Sequence, residues 1–168
     1  MKALALVGLV ALLGAACGSD KSSHSDSTTD WANGFCSAVT DYRQSLTHAV
    51  NSLRDNVSQP GFQDAAKEVQ KATDSFVKAT RSLGAPNTDA GKQAKTTLDT
   101  LSSELNSDLG TVKAAGGAGL VQGLSTVTSA LALVQTQVKS AFNQLKALDA
   151  RGELSDAFNQ ASACASLR

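Results

Sequence analysis

The apolar residues of this chain recur at alternating steps of three and four through four successive segments, which span residues 31–53, 62–83, 94–112 and 120–148. A spacing of about 3.5 residues places apolar side chains on one stripe of an α-helix, as in left-handed helical bundles. No segment alternates with period two, and aromatic residues make up only 4% of the chain, which argues against strands. The repeat therefore predicts an all-α fold.

The breaks between these segments are short and carry residues that end or start helices. The stretch 56–61 reads NVSQPG and places Pro60 at or near the next N-terminus. Gly84 can end the second helix in a left-handed conformation, and residues 116–119 read GGAG. Because short connections favour antiparallel neighbours, we expect an antiparallel up-down-up-down four-helix bundle.

The bundle domain is expected to span residues 30–168. Its first helix has candidate N-caps at residues 28–30, where the chain reads Thr-Thr-Asp. After the fourth segment, a further apolar pattern predicts a short C-terminal fifth helix from about Glu153 to Ser166.

Residues 1–16 have the organisation of a secretory signal peptide. Lys2 supplies a positive charge, residues 3–13 form an apolar run, and residues 14–16 are small. The run is shorter than the roughly 20 residues that a membrane-spanning helix needs. A buried apolar helix is the alternative, but small residues followed by a polar stretch favour a cleavage site.

Cys17 directly follows these small residues. The sequence LGAAC at 13–17 resembles the lipobox of bacterial lipoproteins, with Gly14 where the usual box has an aliphatic residue. The resemblance implies cleavage after Ala16 and a diacylglycerol, with palmitate-type acyl chains, linked to the Cys17 sulfur. Ordinary cleavage that leaves a secreted, non-lipidated protein with a free Cys17 thiol is the alternative.

Residues 17–29 form the expected tether. From residue 18 onward they read GSDKSSHSDSTT and include no apolar side chain, so we expect them to be disordered. Twelve such residues would span about 20 Å on average, which would hold a folded body just clear of a membrane. His24 lies here and is interpreted as a solvated linker residue.

If Cys17 carries lipid, Cys36 and Cys164 remain, and the expected extracytoplasmic compartment is oxidising. We therefore expect a Cys36–Cys164 disulfide, with two buried free thiols as the alternative. With Leu148 near the level of Trp31, a straight fourth helix would carry Cys164 roughly 24 Å beyond that level, so the bond requires a turn at residues 150–152.

The sequence offers little material for catalysis, and we expect no enzyme, metal site or cofactor. His24 and His48 are the only two histidines, and no Gly-x-Ser-x-Gly motif accompanies them. Asp108 falls on the core register of the third segment with Leu109 beside it, which indicates a local drift of the apolar stripe; a buried functional acid is the alternative. The formal net charge is zero, which argues against nucleic-acid binding. An envelope hydrolase centred on His48 is the disfavoured alternative.

The aromatic residues Trp31, Phe35 and Tyr42 concentrate in the first helix. They form either part of the core or a pocket for a small apolar or aromatic ligand between helices.

Taken whole, the LGAACGSD start, the Ser/Thr tether, Phe35-Cys36 and Ala163-Cys164 resemble small Ala/Ser-rich lipoproteins and secreted proteins of actinobacteria. The resemblance implies a location and a shape, with no active site to transfer. The expected function is a non-enzymatic binding or scaffold module, lipid-anchored to the bacterial cell membrane and contacting an envelope protein or a small ligand.

Overall fold

A computed structural model describes residues 20–115, 120–148 and 152–167. Helices fill nearly all of these ranges, and no strand occurs within them, so the all-α prediction is confirmed. The expected signal peptide and Cys17 lie outside the described residues. The helices are α1 (Asp20–Asp55), α2 (Gln59–Leu83), α3 (Gly91–Ala115), α4 (Leu120–Ala147) and α5 (Glu153–Gln160), followed by a C-terminal 3-10 helix (Ser162–Leu167).

Helix α1 begins at Asp20, about ten residues before the N-cap expected at residues 28–30, so that expectation was wrong. Residues 20–29, which the sequence predicted as disordered tether, belong to the helix. No Gly or Pro interrupts the chain between Asp20 and Asp30, and extending an existing helix is far easier than nucleating one. Thr28 is already buried, so packing reaches into this extension.

Helix α2 starts and ends close to the predicted Pro60 and Gly84, although Gly84, with ψ of −156°, is not in the left-handed helical conformation that was expected. The Ser58 hydroxyl accepts a hydrogen bond from the Gly61 backbone N–H at 3.1 Å, and Pro60 occupies the first turn. At the other end Gly84 has φ of 64°, a conformation that favours glycine, and its N–H donates to the Arg81 carbonyl. The segment boundary on each side of α2 is therefore set by local sequence.

Helices α1 and α2 run antiparallel. Contacts join successive positions of α1 to successively earlier positions of α2: Trp31 with Gly84, Tyr42 with Thr73, and His48 with Glu68. This hairpin is the most extensive helix pair in the described part of the chain, and α3 with α4 is the next.

The core lies between the hairpin, the other two long helices and the C-terminal segment. Its largest fully buried side chains are Phe35, Phe158, Leu105, Leu145 and Leu154, which come from α1, α5, α3, α4 and α5. Burying an aromatic or aliphatic side chain of this size contributes about 1.5 to 3 kcal/mol. The apolar stripes predicted from the sequence thus meet in one interior.

The C-terminal segment turns back onto α1, as the disulfide required. Gly152 has φ of 79° immediately before α5. Helix α5 ends at Gln160, earlier than the expected Ser166, because Ala161 has extended backbone and the chain continues as the 3-10 helix.

Within the residues that the structure describes, no helix combines the length and apolar character that crossing a bilayer requires.

Candidate functional site

The structure joins Cys36 on α1 to Cys164 in the C-terminal 3-10 helix by a disulfide bond, as predicted. Their Cα atoms are 5.0 Å apart, within the range that a disulfide spans, and both residues are fully buried. Beside the bond, the Asn33 side-chain oxygen accepts a hydrogen bond from the Ala163 N–H at 3.1 Å. The disulfide and this hydrogen bond both hold the C-terminal segment on α1.

The predicted pocket residues Trp31, Phe35 and Tyr42 are divided between two places. Trp31 and Phe35 stack with ring centroids 6.0 Å apart, and Phe158 meets both rings edge-on at 6.0 Å. Phe142 closes the same cluster against Phe158 at 5.0 Å. Since these side chains fill the space between α1, α4 and α5, Trp31 and Phe35 lie in packed core. Neither lines the cavities described below.

Tyr42 lies apart from this cluster, stacked on Phe76 with ring centroids 5.0 Å apart. Its hydroxyl is 3.1 Å from the Thr73 hydroxyl. Because Thr73 gives its own proton to the Val69 carbonyl at 2.9 Å, Tyr42 is the donor in this pair. Tyr42 thus places a polar atom inside the α1–α2 hairpin.

Burial raises the pKa of Tyr42 above its ordinary value of 10.0. The nearby carboxylate of Asp108 acts in the same direction. The Thr73 hydroxyl, which can turn to donate to a phenolate, opposes both. Tyr42 is therefore held in its neutral, hydrogen-bond-donating form.

Asp108 occupies the core-facing register of α3 that the sequence indicated. Its Oδ2 atom is buried and has no hydrogen-bond donor among the described residues. Leu109, the next residue, is also buried, so the stripe of α3 shifts by one position here.

An open groove of about 670 Å³ runs between α1 and α2. We call it the α1–α2 groove. Its buried floor is formed by Ala38, Tyr42, Ala72 and Phe76, and its rim carries charges of both signs from Asp41, His48, Glu68 and Lys71. A floor of small and aromatic side chains with a mixed charged rim suits recognition of a polar partner that inserts an apolar group.

His48 lies on the rim, where its Nδ1 atom is 3.2 Å from Glu68 Oε2. The His48 side chain is 73% exposed, so it is a surface residue. Ser45 lines the same groove, but no hydrogen bond among the described residues joins it to His48. The described part of the chain also contains no group of three or more His, Cys, Asp or Glu side chains arranged to hold a metal ion.

The groove was not predicted from the sequence, because its walls come from two helices and the sequence pattern did not assign the register between them. Glu68, Lys71 and Thr73 belong to no motif that singles them out, and only the register of α1 and α2 places Thr73 opposite Tyr42. One sequence signal could have indicated the groove: His48 and Glu68 each lie beside the apolar stripe of their own helix, and these two stripes face each other. No known protein family, curated protein or solved structure matches this chain.

Proposed function

We propose that this chain is a bacterial lipoprotein. A helical bundle is exported across the cytoplasmic membrane, anchored there through acyl chains on Cys17, and acts as a non-enzymatic binding or scaffold module. Residues 1–16 would be its signal peptide.

The observation that carries this proposal is the Cys36–Cys164 disulfide. The chain has three cysteines, so the bond leaves Cys17 as the remaining thiol, directly after LGAA. A buried structural disulfide is typical of proteins that fold in an oxidising compartment, which agrees with export. The lipobox-like sequence then supplies a use for the third cysteine.

The proposed body is an antiparallel up-down-up-down four-helix bundle to which α5 is added. Antiparallel packing of α2 and α3 is supported by a shared cavity that brings the end of α2, at Arg81, beside Leu98 near the start of α3. A second cavity brings Val39 of α1 together with Phe142 near the end of α4. Both pairings agree with alternating helix directions.

The start of α1 changes how such an anchor would hold the body. Helix α1 begins at Asp20, three residues after Cys17 in the sequence, and the aromatic cluster begins at Trp31. Eleven residues of α-helix rise about 17 Å, at about 1.5 Å per residue. A helical spacer of that length would set the bundle at a more constant height above the membrane than a disordered tether would.

The α1–α2 groove is the proposed contact surface for a partner in the cell envelope. It combines a cavity of about 670 Å³ with exposed charges of both signs, a combination that favours specific recognition over general adhesion. The His48–Glu68 pair shows that side chains of the two helices already meet across its rim.

The test of the anchor is the intact mass of the protein purified from its native membrane, before and after reduction. We expect a chain that starts at Cys17, carries acyl chains, and gains two hydrogens on reduction. A Cys17→Ser variant is the control and should leave the membrane fraction. A wild-type mass without lipid would overturn the anchored form and favour the released protein.

The contact surface is tested separately by cross-linking in whole cells. Asp41→Lys together with Lys71→Glu exchanges the rim charges without changing the net charge, and Lys95→Glu with Asp99→Lys is a matched exchange on α3. Loss of a defined cross-link only in the groove variant supports the proposal. Equal loss in both variants, or in neither, contradicts it.

A further inference from the structure

A second cavity, which we call the α1–α4 cleft, lies on the side of α1 that faces α4 and the C-terminal 3-10 helix. Its volume is about 230 Å³. The apolar side chains that line it are Val39, Leu46, Val134, Val138, Phe142 and Leu167. All of these except Leu167 are 6% exposed or less, so they form a buried floor beneath an opening to solvent.

The opening of the cleft is cationic. Arg43 from α1 and Lys139 from α4 both line the cavity, and both are exposed. The ion pairs between described residues are His48–Glu68, Lys67–Asp64 and Lys95–Asp99, and none of them includes either cation.

The charge of α4 adds to the cationic character of this opening. From Leu120 to Ala147 the helix contains Lys139 and Lys146 and no Asp or Glu. Lys146 also lies over the ring of Phe142, with its Nζ atom 5.7 Å from the ring centroid. The α1–α2 groove, in contrast, has acidic and basic side chains on its rim, so of these two cavities the cleft is the one whose charged lining residues are all cationic.

We propose that the α1–α4 cleft binds a single-chain amphiphile that carries one anionic headgroup. The alkyl chain lies on the floor between Val39 and Val138, and the headgroup is held by Arg43 and Lys139. Arg43 can hold two oxygens of a carboxylate or phosphate at once, whereas Lys139 acts as a point charge. The proposal depends on the cleft and not on the anchor at Cys17.

The cavity volume limits the ligand. Taking about 30 Å³ for a group the size of a water molecule, the cleft holds roughly eight such groups. A methylene is close to that size, so a chain of roughly eight to ten carbons fills the cavity. Affinity should rise about four-fold for each methylene added until the cavity is full, and then level off.

The test is calorimetric titration of the oxidised full chain carrying Cys17→Ser, so that no covalently attached acyl chain competes for the cleft. The probes share a ten-carbon chain: decanoate, decyl phosphate, decanol and decyltrimethylammonium, each below its micelle concentration. We expect one anionic probe per chain, bound at least ten-fold more tightly than the neutral and cationic probes. Comparison of the two anions shows whether a carboxylate or a phosphate headgroup is preferred.

Arg43→Gln with Lys139→Gln should weaken binding of the preferred anion at least ten-fold. Both positions are exposed, so the variant should retain the fold, which circular dichroism verifies. Arg54→Gln with Lys78→Gln removes two exposed cations away from the cleft and should leave the affinity unchanged. Equal affinity for all four probes, equal weakening by both double variants, or no binding at all would overturn the proposal.

Discussion

Breaking the Cys36–Cys164 disulfide should lower the free energy of unfolding by about 4 to 5 kcal/mol. The two cysteines are 128 residues apart in the sequence, so the bond closes most of the folded body into one loop. The chain-entropy relation for a loop of that length gives about 4.9 kcal/mol at 25 °C. Domains of this size unfold with about 5 to 15 kcal/mol, so the bond supplies a large share of the stability.

Two perturbations separate the loop effect from local packing. Reduction of the wild type keeps both sulfur atoms, whereas Cys36→Ala with Cys164→Ala also removes them from a buried position and adds a cavity cost. Both perturbations should therefore lower the free energy of unfolding, and the double variant should be somewhat less stable than the reduced wild type. Asn33→Ala removes only the hydrogen bond to the Ala163 N–H and should cost about 1 kcal/mol.

Urea unfolding, followed by fluorescence, measures each free energy. Trp31 is the only tryptophan and stacks on Phe35, the residue next to Cys36, so its emission reports on this end of the bundle. The dependence of the free energy on urea should steepen without the bond, because an unclosed unfolded chain exposes more surface. A loss below about 1 kcal/mol for both perturbations would refute the loop-closure reasoning.

Three further outcomes follow from single contacts. Because burial raises the pKa of Tyr42, the native state keeps the phenolic proton to higher pH than the unfolded state does. The free energy of unfolding should therefore keep its full value below pH 10.0 and fall as pH rises through the native pKa of Tyr42. Tyrosinate absorbance measures this titration directly, because Tyr42 is the only tyrosine. Tyr42→Phe should remove this dependence of stability on alkaline pH and should also lose the hydrogen bond to Thr73. Phe158→Ala should cost about 3 to 5 kcal/mol in thermal or urea unfolding, since its ring contacts three other aromatic rings; a cost below 1 kcal/mol would contradict the packed cluster. Ser58→Ala removes the cap on the Gly61 N–H and should cost about 1 kcal/mol by the same measurement, with Ser58→Asn largely restoring it.

Much of the helical order was predictable because it depends on near neighbours. The apolar period of α2 and the cap at Ser58 act within a turn or two of the chain, and so does the positive φ of Gly84. The disulfide was predicted for a different reason: with Cys17 assigned to lipid, Cys36 and Cys164 were the two cysteines left in an oxidising compartment. The start of α1 was not predictable, since residues 20–29 are polar and are helical as a continuation of a packed helix.

The sequence by itself determined which apolar stripes form the four long helices and where the chain breaks between them, because periodicity, caps and turn residues act over short distances. Only the tertiary structure decided which aromatic rings are core and which line a cavity. Phe158 reaches Trp31 and Phe35 through a contact more than 120 residues away, and Tyr42 meets Thr73 through the register of two helices. Cavities lie between elements, so their charge and shape depend on helix rotation and register, which no local pattern encodes.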